Sequence, residues 1–394
     1  MRVDVRDTTN WLQSVLIIAA GIIGAFQIGK VAIAIPLLRD DLGLSLFAVS
    51  WVAGAYAALG VVGGMAAGFV FSYFALRHVI IFGLLMISGG SFLGAMSADA
   101  TILIVSRVIE GIGFLGVVIA CPTLLRSMVT PRTQQVVFAF WAAYMPVGAA
   151  TMILMGPMLM QGDWRWLWTL NGIVAATHAV LLFVLRPKEE VAVSRRASPT
   201  IGDISAVFKA GTPVLLAFTF TLYTIQYFAL TTFLPTFLID QMGLSLEVAG
   251  TVSALAVIAN AVGNISAGFI LRMGAPLWGI FAVVFTTIGV CGVAIFHASS
   301  PMELAVAAAG LCLGLAALMP SSILVTMPRL LSSNQQLALA LGMVQQASSI
   351  GQLGGPAILA FWIEWQGWNG VSYLFILIAL CGLTIAMLAK KMLR

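Results

Sequence analysis

Twelve long apolar runs, each separated from the next by a few polar residues, dominate the pattern along the chain. They cover approximately residues 11–36, 46–71, 78–97, 101–126, 136–160, 165–185, 213–238, 247–271, 277–297, 302–327, 335–360 and 369–389. A helix that crosses the hydrocarbon core of a bilayer takes about 20 apolar residues, and the runs match that length. Strand-length alternation is absent, and an open sheet in lipid would leave its edge groups without partners. The pattern predicts an all-α integral membrane protein of twelve transmembrane helices. The first run, from about Trp11, is too long for a signal-peptide core and lacks a small-residue cleavage pattern, so a retained first helix is expected.

The longest hydrophilic stretch runs from Arg186 to Gly211 and has the composition of a solvated linker. It divides the chain into an N-terminal six-helix bundle over residues 1–185, a cytoplasmic linker over 186–212 and a C-terminal six-helix bundle over 213–394. The two halves repeat. Gly43-Leu44-Ser45-Leu46 recurs as Gly243-Leu244-Ser245-Leu246, and Ala67-Gly68-Phe69 recurs as Ala267-Gly268-Phe269. Gly156-Pro157 likewise matches Gly355-Pro356. An even number of helices per repeat preserves orientation, so two parallel repeats about an axis along the membrane normal are expected.

Composition sharpens this. Of 394 residues, 61% are hydrophobic and 8% charged, where soluble domains carry about 25% charged residues. A mean hydropathy of +1.07 agrees. An ordinary soluble enzyme, a disordered chain, a coiled coil and a disulfide scaffold are all excluded. Cys121, Cys291, Cys312 and Cys381 lie in apolar stretches without CxxC spacing and read as packing residues. The net charge is +5, and its placement sets the topology. With both termini in the cytoplasm, 15 of the 19 basic residues fall on the cytoplasmic side and only Arg39 and Arg165 in outer loops. That positive-inside bias sets the orientation, and the expected location is a plasma membrane, the inner membrane of a bacterium, as a multi-pass protein. No GxSxG, HExxH, P-loop or dinucleotide fingerprint occurs, and three separated histidines make no metal site. The expectation is a non-enzyme with no cofactor and no nucleic-acid partner, monomeric in the lipid bilayer.

Only three ionised groups fall inside predicted helices: Lys30, Arg107 and Glu110. Each would cost roughly 2.5–3.5 kcal/mol near a helix centre, so such groups face a cavity or a partner. At 1.5 Å per residue, Lys30 and Arg107 both lie roughly 10 Å below the outer boundary. Glu110 shares the face of Arg107 at i+3. The alternative to function is an ion pair of Arg107 with Glu110 that locks helix 4 in place. Lys30 would then lack an anion; Gln27, one turn earlier, shares its face. Tyr223, Gln226 and Tyr227 at i, i+3, i+4 form a polar aromatic face on helix 7 suited to a small ligand, or to bonds between helices. Gln345, Ser349 and Gln352 share a face of helix 11, with Gln346 and Ser348 adjacent. Trp141 and Tyr144 on helix 5 are candidates for a cavity wall. Gly60, Gly64 and Gly68, with their repeat mates Asn260, Asn264 and Gly268, read as helix contact surfaces. His178 reads as a packing histidine.

On these residues the chain resembles the major facilitator superfamily over essentially its whole length. Arg107, Glu110, Gly111 and Gly113 in the run RVIEGIG look like that family's RxxxGxG motif in helix 4, and Asp163-Trp164-Arg165-Trp166 is typical of the start of helix 6. The loop after helix 2 departs from the family pattern, with Ser72 for its Asp and Ala75 for its second Gly. Pro122 to Arg126 followed by Phe140-Trp141, Tyr144, Pro146 and Gly148 is similar to the cyanate and nitroimidazole permease branch. The resemblance implies secondary transport, with helices 1, 4, 7 and 10 lining the cavity, so that Lys30, Arg107 and Glu110 converge. The expected function is import of a small anionic organic or inorganic solute by alternating access, coupled to protons through Glu110. The expected solute-binding set is Gln27, Lys30, Arg107, Tyr144, Tyr223, Gln226, Tyr227 and Gln345. The alternative is a proton-driven exporter of drugs or metabolites.

Overall fold

The computed structural model describes residues 9–71, 73–130, 132–186, 201–331 and 333–392. Ser72 lies outside the described residues, as do Arg2, Arg6, Lys188, Arg195, Arg196 and Arg394, six of the 15 basic residues counted on the cytoplasmic side, and residues 187–200 of the expected linker. Ten helices are long and apolar enough to cross a bilayer, and the pair Gln134–Ala142 and Tyr144–Met160, bent by 41°, makes a further crossing. The longest, Asn334–Met392, is two helices joined at Gly367, whose φ of 69° interrupts the helical backbone. The described residues therefore form twelve spans.

Helix 1 is Trp11–Leu42. Helix 2 is built from Leu46–Gly54, a 3-10 turn at Ala55–Ala57, and Ala58–Phe71. Helices 3 and 4 are Leu76–Ala95 and Ala100–Met128. Helix 5 is the bent pair, and helix 6 is Arg165–Leu185. Helices 7, 8 and 9 are Thr212–Met242, Leu246–Arg272 and Leu277–Phe296. Helix 10 joins Met302–Ala316 to Leu318–Thr326, and helices 11 and 12 flank Gly367. The segment 186–212 also holds a short helix, Ile201–Ala210, with Val207 buried.

The repeated Gly-Leu-Ser-Leu has a local physical cause. Gly43 and Gly243 end helices 1 and 7 in the left-handed conformation, with φ of 61° and 65°. Glycine carries no β-carbon penalty there. Two residues on, Ser45 and Ser245 start helices 2 and 8 by accepting from the N–H groups of Ala48 and Val248. Helices 1 and 7 run beyond the expected ends at 36 and 238, passing through Pro36 and Pro235 to Leu42 and Met242. Tertiary packing tolerates a proline that interrupts one backbone bond of a membrane helix. Helix 5 does bend, because Pro146 lies in the first turn after Ala143 and cannot donate an N–H.

Glycines set how closely the helices approach. A β-carbon at Gly29 would sit 2.1 Å from the Ala149 carbonyl oxygen, and one at Gly148 would sit 2.4 Å from that of Ile22, so helices 1 and 5 touch backbone to backbone. Helices 7 and 11 repeat this at Gly355, 2.4 Å from the Ile225 oxygen. The contact role expected for Gly60 and Gly64 holds, against Ser349 and Gln346 of helix 11. Gly268 faces open space, so the contact expected of it is corrected: the packed face of that turn is carried by Ala267, which is buried. Cys381 is exposed rather than packed, on the outward face of helix 12, while the other three cysteines are buried.

Two alanine substitutions separate packing from propensity. A β-carbon at Gly111 would fall 1.9 Å from the Tyr56 oxygen, whereas none lies within 4 Å at Gly89. Gly111→Ala should cost about 1–3 kcal/mol or more through overpacking. Gly89→Ala should be neutral or gain about 0.5–1 kcal/mol. Thermal unfolding of both variants in detergent checks the contrast.

Candidate functional site

Helix 4 presents Arg107 and Glu110 one turn apart, and helix 1 presents Gln27 and Lys30 in the same way. The structure brings all four together, each with 0% exposure. Lys30 Nζ donates to Glu110 Oε1 at 2.5 Å and to Ser91 Oγ at 3.1 Å. Arg107 Nη1 pairs with the other carboxylate oxygen, Oε2 of Glu110. The same nitrogen donates to Gln27 Oε1 at 3.2 Å, and Nη2 donates to the Gln27 carbonyl at 2.7 Å. Nε donates to the Val52 carbonyl at 3.0 Å, just before the 3-10 turn in helix 2.

One expectation is corrected here. Lys30 was expected to lack an anion if Glu110 served Arg107. A carboxylate offers two oxygens, and Glu110 gives one to each cation. The group still carries two formal positive charges against one negative. Two aromatic faces spread part of the excess: Lys30 Nζ lies 4.7 Å from the Trp168 ring centre, and the Arg107 guanidinium 5.1 Å from that of Tyr56.

Helices 3 and 6 supply support that the sequence reading missed. Ser91 Oγ accepts from Lys30 and from Asn171 Nδ2 at 2.8 Å, and donates to Glu110 Oε1 at 2.6 Å. Glycines make the room: a β-carbon at Gly90 would meet Glu110 Cγ at 2.6 Å, and one at Gly94 would meet Trp168 at 2.5 Å. The available signal was that Ser91 and Asn171 are polar residues within apolar runs, and buried polar groups require partners. Nothing in the sequence says which partners.

Among the described residues, none of the other expected residues bonds the charged group. Tyr144 stacks on Trp141 with ring centres 4.4 Å apart, against Gly21 of helix 1. Tyr223 and Tyr227 stack at 5.8 Å, and both belong to the same buried core as Tyr56 and Tyr144 of the first half. Gln226 was expected to share their ligand-facing surface. Its Nε2 instead donates to Cys312 Sγ at 3.3 Å, turning it toward helix 10. Gln345 is half-buried, and its neighbour Gln346 makes the crossing contact, donating to the Val61 carbonyl at 2.7 Å. His178 bonds the Leu16 carbonyl at 2.9 Å, a packing role. The side chains of Gln27 and Tyr56, both against Arg107, keep Nε2 and Oη without hydrogen-bond partners among the described residues.

Comparison with known proteins adds lineage to this geometry. The family model described as Major Facilitator Superfamily matches residues 16–327. The multidrug efflux pump SdrM of Staphylococcus aureus is 28% identical over 196 residues, 47% of this chain and 43% of that protein. The hexuronate transporter of Bacillus subtilis is 23% identical over 264 residues, 64% of this chain and 62% of that protein. The chain spans less than half the length of the first curated relatives it matches. The bacterial homologue of the human lysosomal transporter Spinster, in an inward-facing and occupied conformation, superposes with a TM-score of 0.78. That structure is 13% identical, with 97% of each chain covered. A likeness at that identity shows the fold.

The support network has a measurable signature. Ser91→Ala strands Asn171 and removes one acceptor from Lys30, for a cost of about 1–3 kcal/mol. Ser91→Ala combined with Asn171→Leu should cost less than the sum of the two, by roughly 0.5–3 kcal/mol. A double-mutant cycle on thermal unfolding measures that coupling, and strict additivity would contradict the network.

Proposed function

This chain belongs to the major facilitator superfamily, and from that premise we propose that it is a secondary active transporter. It moves a small anionic organic or inorganic solute inward by alternating access, coupled to protons. The observation that carries this reading is the buried group with one excess positive charge, Lys30 and Arg107 against Glu110, together with the partnerless Gln27 Nε2 and Tyr56 Oη beside Arg107. A carboxylate or similar anion supplies the charge and the acceptors that the group lacks. Tyr144, Tyr223, Tyr227 and Gln345 would contact the remainder of the solute from helices 5, 7 and 11, and Gln226 would join them only by leaving Cys312.

Glu110 is the proton carrier in this reading. Its carboxylate holds both cations, so taking up a proton loosens Lys30 and Arg107 together and links proton movement to solute release. The finer placement is the cyanate and nitroimidazole permease branch, on the helix 4 and 5 residues from Pro122 to Gly148. The transporter works as a monomer in a bacterial inner membrane with both termini cytoplasmic. Its working halves are residues 1–185 and 213–394, joined through 186–212.

A second reading, proton-driven export of drugs or metabolites, is favoured by two observations. One relative is named as a multidrug efflux pump, and tyrosines of both halves, Tyr56, Tyr144, Tyr223 and Tyr227, share one buried core.

Uptake of labelled small organic and inorganic anions into proteoliposomes, with and without an inward proton gradient, tests the proposal. Gradient-driven accumulation of an anion is expected. Glu110→Gln should abolish accumulation while keeping counterflow exchange, which also reports that the variant is folded. Accumulation unchanged in Glu110→Gln removes its coupling role. A cationic solute, or outward pumping of drugs alone, overturns the import reading.

A further inference from the structure

Helix 8 carries two amides whose orientation is fixed by what each neighbour can bond. Asn260 Nδ2 donates to the Leu313 carbonyl of helix 10 at 2.9 Å. A carbonyl oxygen only accepts, so the amide nitrogen lies on that side and the amide oxygen on the other. The second hydrogen of the same nitrogen goes to Tyr223 Oη of helix 7 at 3.4 Å. Asn260 Oδ1 accepts from Asn264 Nδ2 at 2.9 Å. Asn264 is fixed in the same way. Its nitrogen also donates to the Asn260 carbonyl at 3.2 Å, and its Oδ1 accepts from Ser321 Oγ of helix 10 at 3.2 Å.

Every side-chain bond therefore donates in one direction, from Ser321 through Asn264 and Asn260 to Tyr223. The chain also runs from the surface inward: Ser321 and Asn264 are half-buried, Asn260 is 2% exposed and Tyr223 5%. Tyr223 takes the last bond on its oxygen, which leaves its own hydrogen to give. Among the described residues its hydroxyl bonds Asn260 alone. A buried donor left without an acceptor is costly unless something fills the space it faces. Holding helix 8 to helix 10 does not call for this last bond, since the Leu313 carbonyl already joins them. In the first half Gln27 Nε2 and Tyr56 Oη are likewise without partners among the described residues. Tyr56 and Tyr223 share one buried core, so both halves bring spare donors to it.

We infer that Asn260, backed by Asn264 and Ser321, is a positioning residue that turns the Tyr223 hydroxyl hydrogen toward the bound solute. The uncharged half then meets the solute with a donor, and the solute end it meets carries an oxygen acceptor, a carboxylate or carbonyl oxygen, rather than an N–H or O–H group. This rests on the solute contact proposed for Tyr223, but the direction of the hydroxyl is measurable with no solute present, so the two can fail separately.

Vibrational difference spectra of the full-length protein in lipid nanodiscs, each taken against the matching Tyr223→Phe form, isolate this ring among the six tyrosines. The phenol C–O stretch separates a hydroxyl that accepts a bond from one that donates. The unaltered protein should show an accepting hydroxyl, and Asn260→Leu should lose that signature. Asn260→Asp keeps the size but has at most one hydrogen, which the Leu313 carbonyl takes, so the Tyr223 hydroxyl should switch to donating. Acetate, pyruvate and nitrate serve as probes in thermal-shift titrations. Asn260→Leu should weaken binding of an anion that stabilises the unaltered protein about two- to tenfold, the range of one hydrogen bond. It should add no further loss in a Tyr223→Phe background, where a packing role would act equally. A donating hydroxyl in the unaltered protein, a spectrum that Asn260→Asp leaves unchanged, or an equal loss of binding in both backgrounds overturns the inference. The spectra of the unaltered and Asn260→Asp proteins decide alone if Asn260→Leu does not fold or none of the three anions binds.

Discussion

Burying three charges in an apolar bundle is the constraint on which the rest of the first half depends. An isolated ion in hydrocarbon is too costly to keep, so Lys30, Glu110 and Arg107 must be brought within bonding distance and their remaining donors filled. That demand explains features spread over five helices. Gly90 leaves space for the stem of Glu110, and Gly94 lets Trp168 lie beneath Lys30. Ser91 and Asn171 complete the shell from helices 3 and 6. Helix 2 contributes a backbone carbonyl at Val52 just before its 3-10 turn, and Gly111 lets helix 4 come close enough to reach it. Breaking one member of such a group leaves the others buried and unpaired, which costs more than the bond itself.

The second half has no matching cluster among its described residues. Where helix 4 has Arg107 and Glu110, helix 10 is small and apolar, and Asn260 of helix 8 bonds the Leu313 carbonyl instead. The repeat was therefore kept for architecture, in the paired turns at Gly43 and Gly243 and the close helix pairs 1–5 and 7–11, while the charges sit on one side only. That asymmetry gives the proposed transport cycle a charged half and a neutral, aromatic one.

Much of this was legible in the sequence, for definite reasons. Length and apolarity specify a membrane helix almost alone, so eleven of the polar breaks fell near real ends, and the offset between Gly43 and Gly243 gave the repeat. Lys30, Arg107 and Glu110 stood out because charge is rare in such runs. The misses share a cause: periodicity reports a face, not the neighbour across from it. Nothing in helix 6 marks Asn171 as reaching Ser91, and nothing in helix 7 marks Gln226 as turning toward Cys312. Tyr56 was passed over because an aromatic in an apolar run reads as packing, although it lies over Arg107. The ends of helices 1 and 7, expected at 36 and 238, were set too early, and the helices run on past Pro36 and Pro235 because neighbouring helices support the backbone there.

The central claim is that the one excess positive charge at Lys30, Arg107 and Glu110 is balanced by a bound anion. Thermal stabilisation of the purified protein by a panel of small carboxylates and inorganic anions, read in parallel on Lys30→Gln, tests it most directly. The account predicts that an anion which raises the unfolding temperature of the unaltered protein loses that effect in a folded Lys30→Gln. Equal stabilisation of both proteins by the transported solute, or a transported solute with no negative charge, would contradict it.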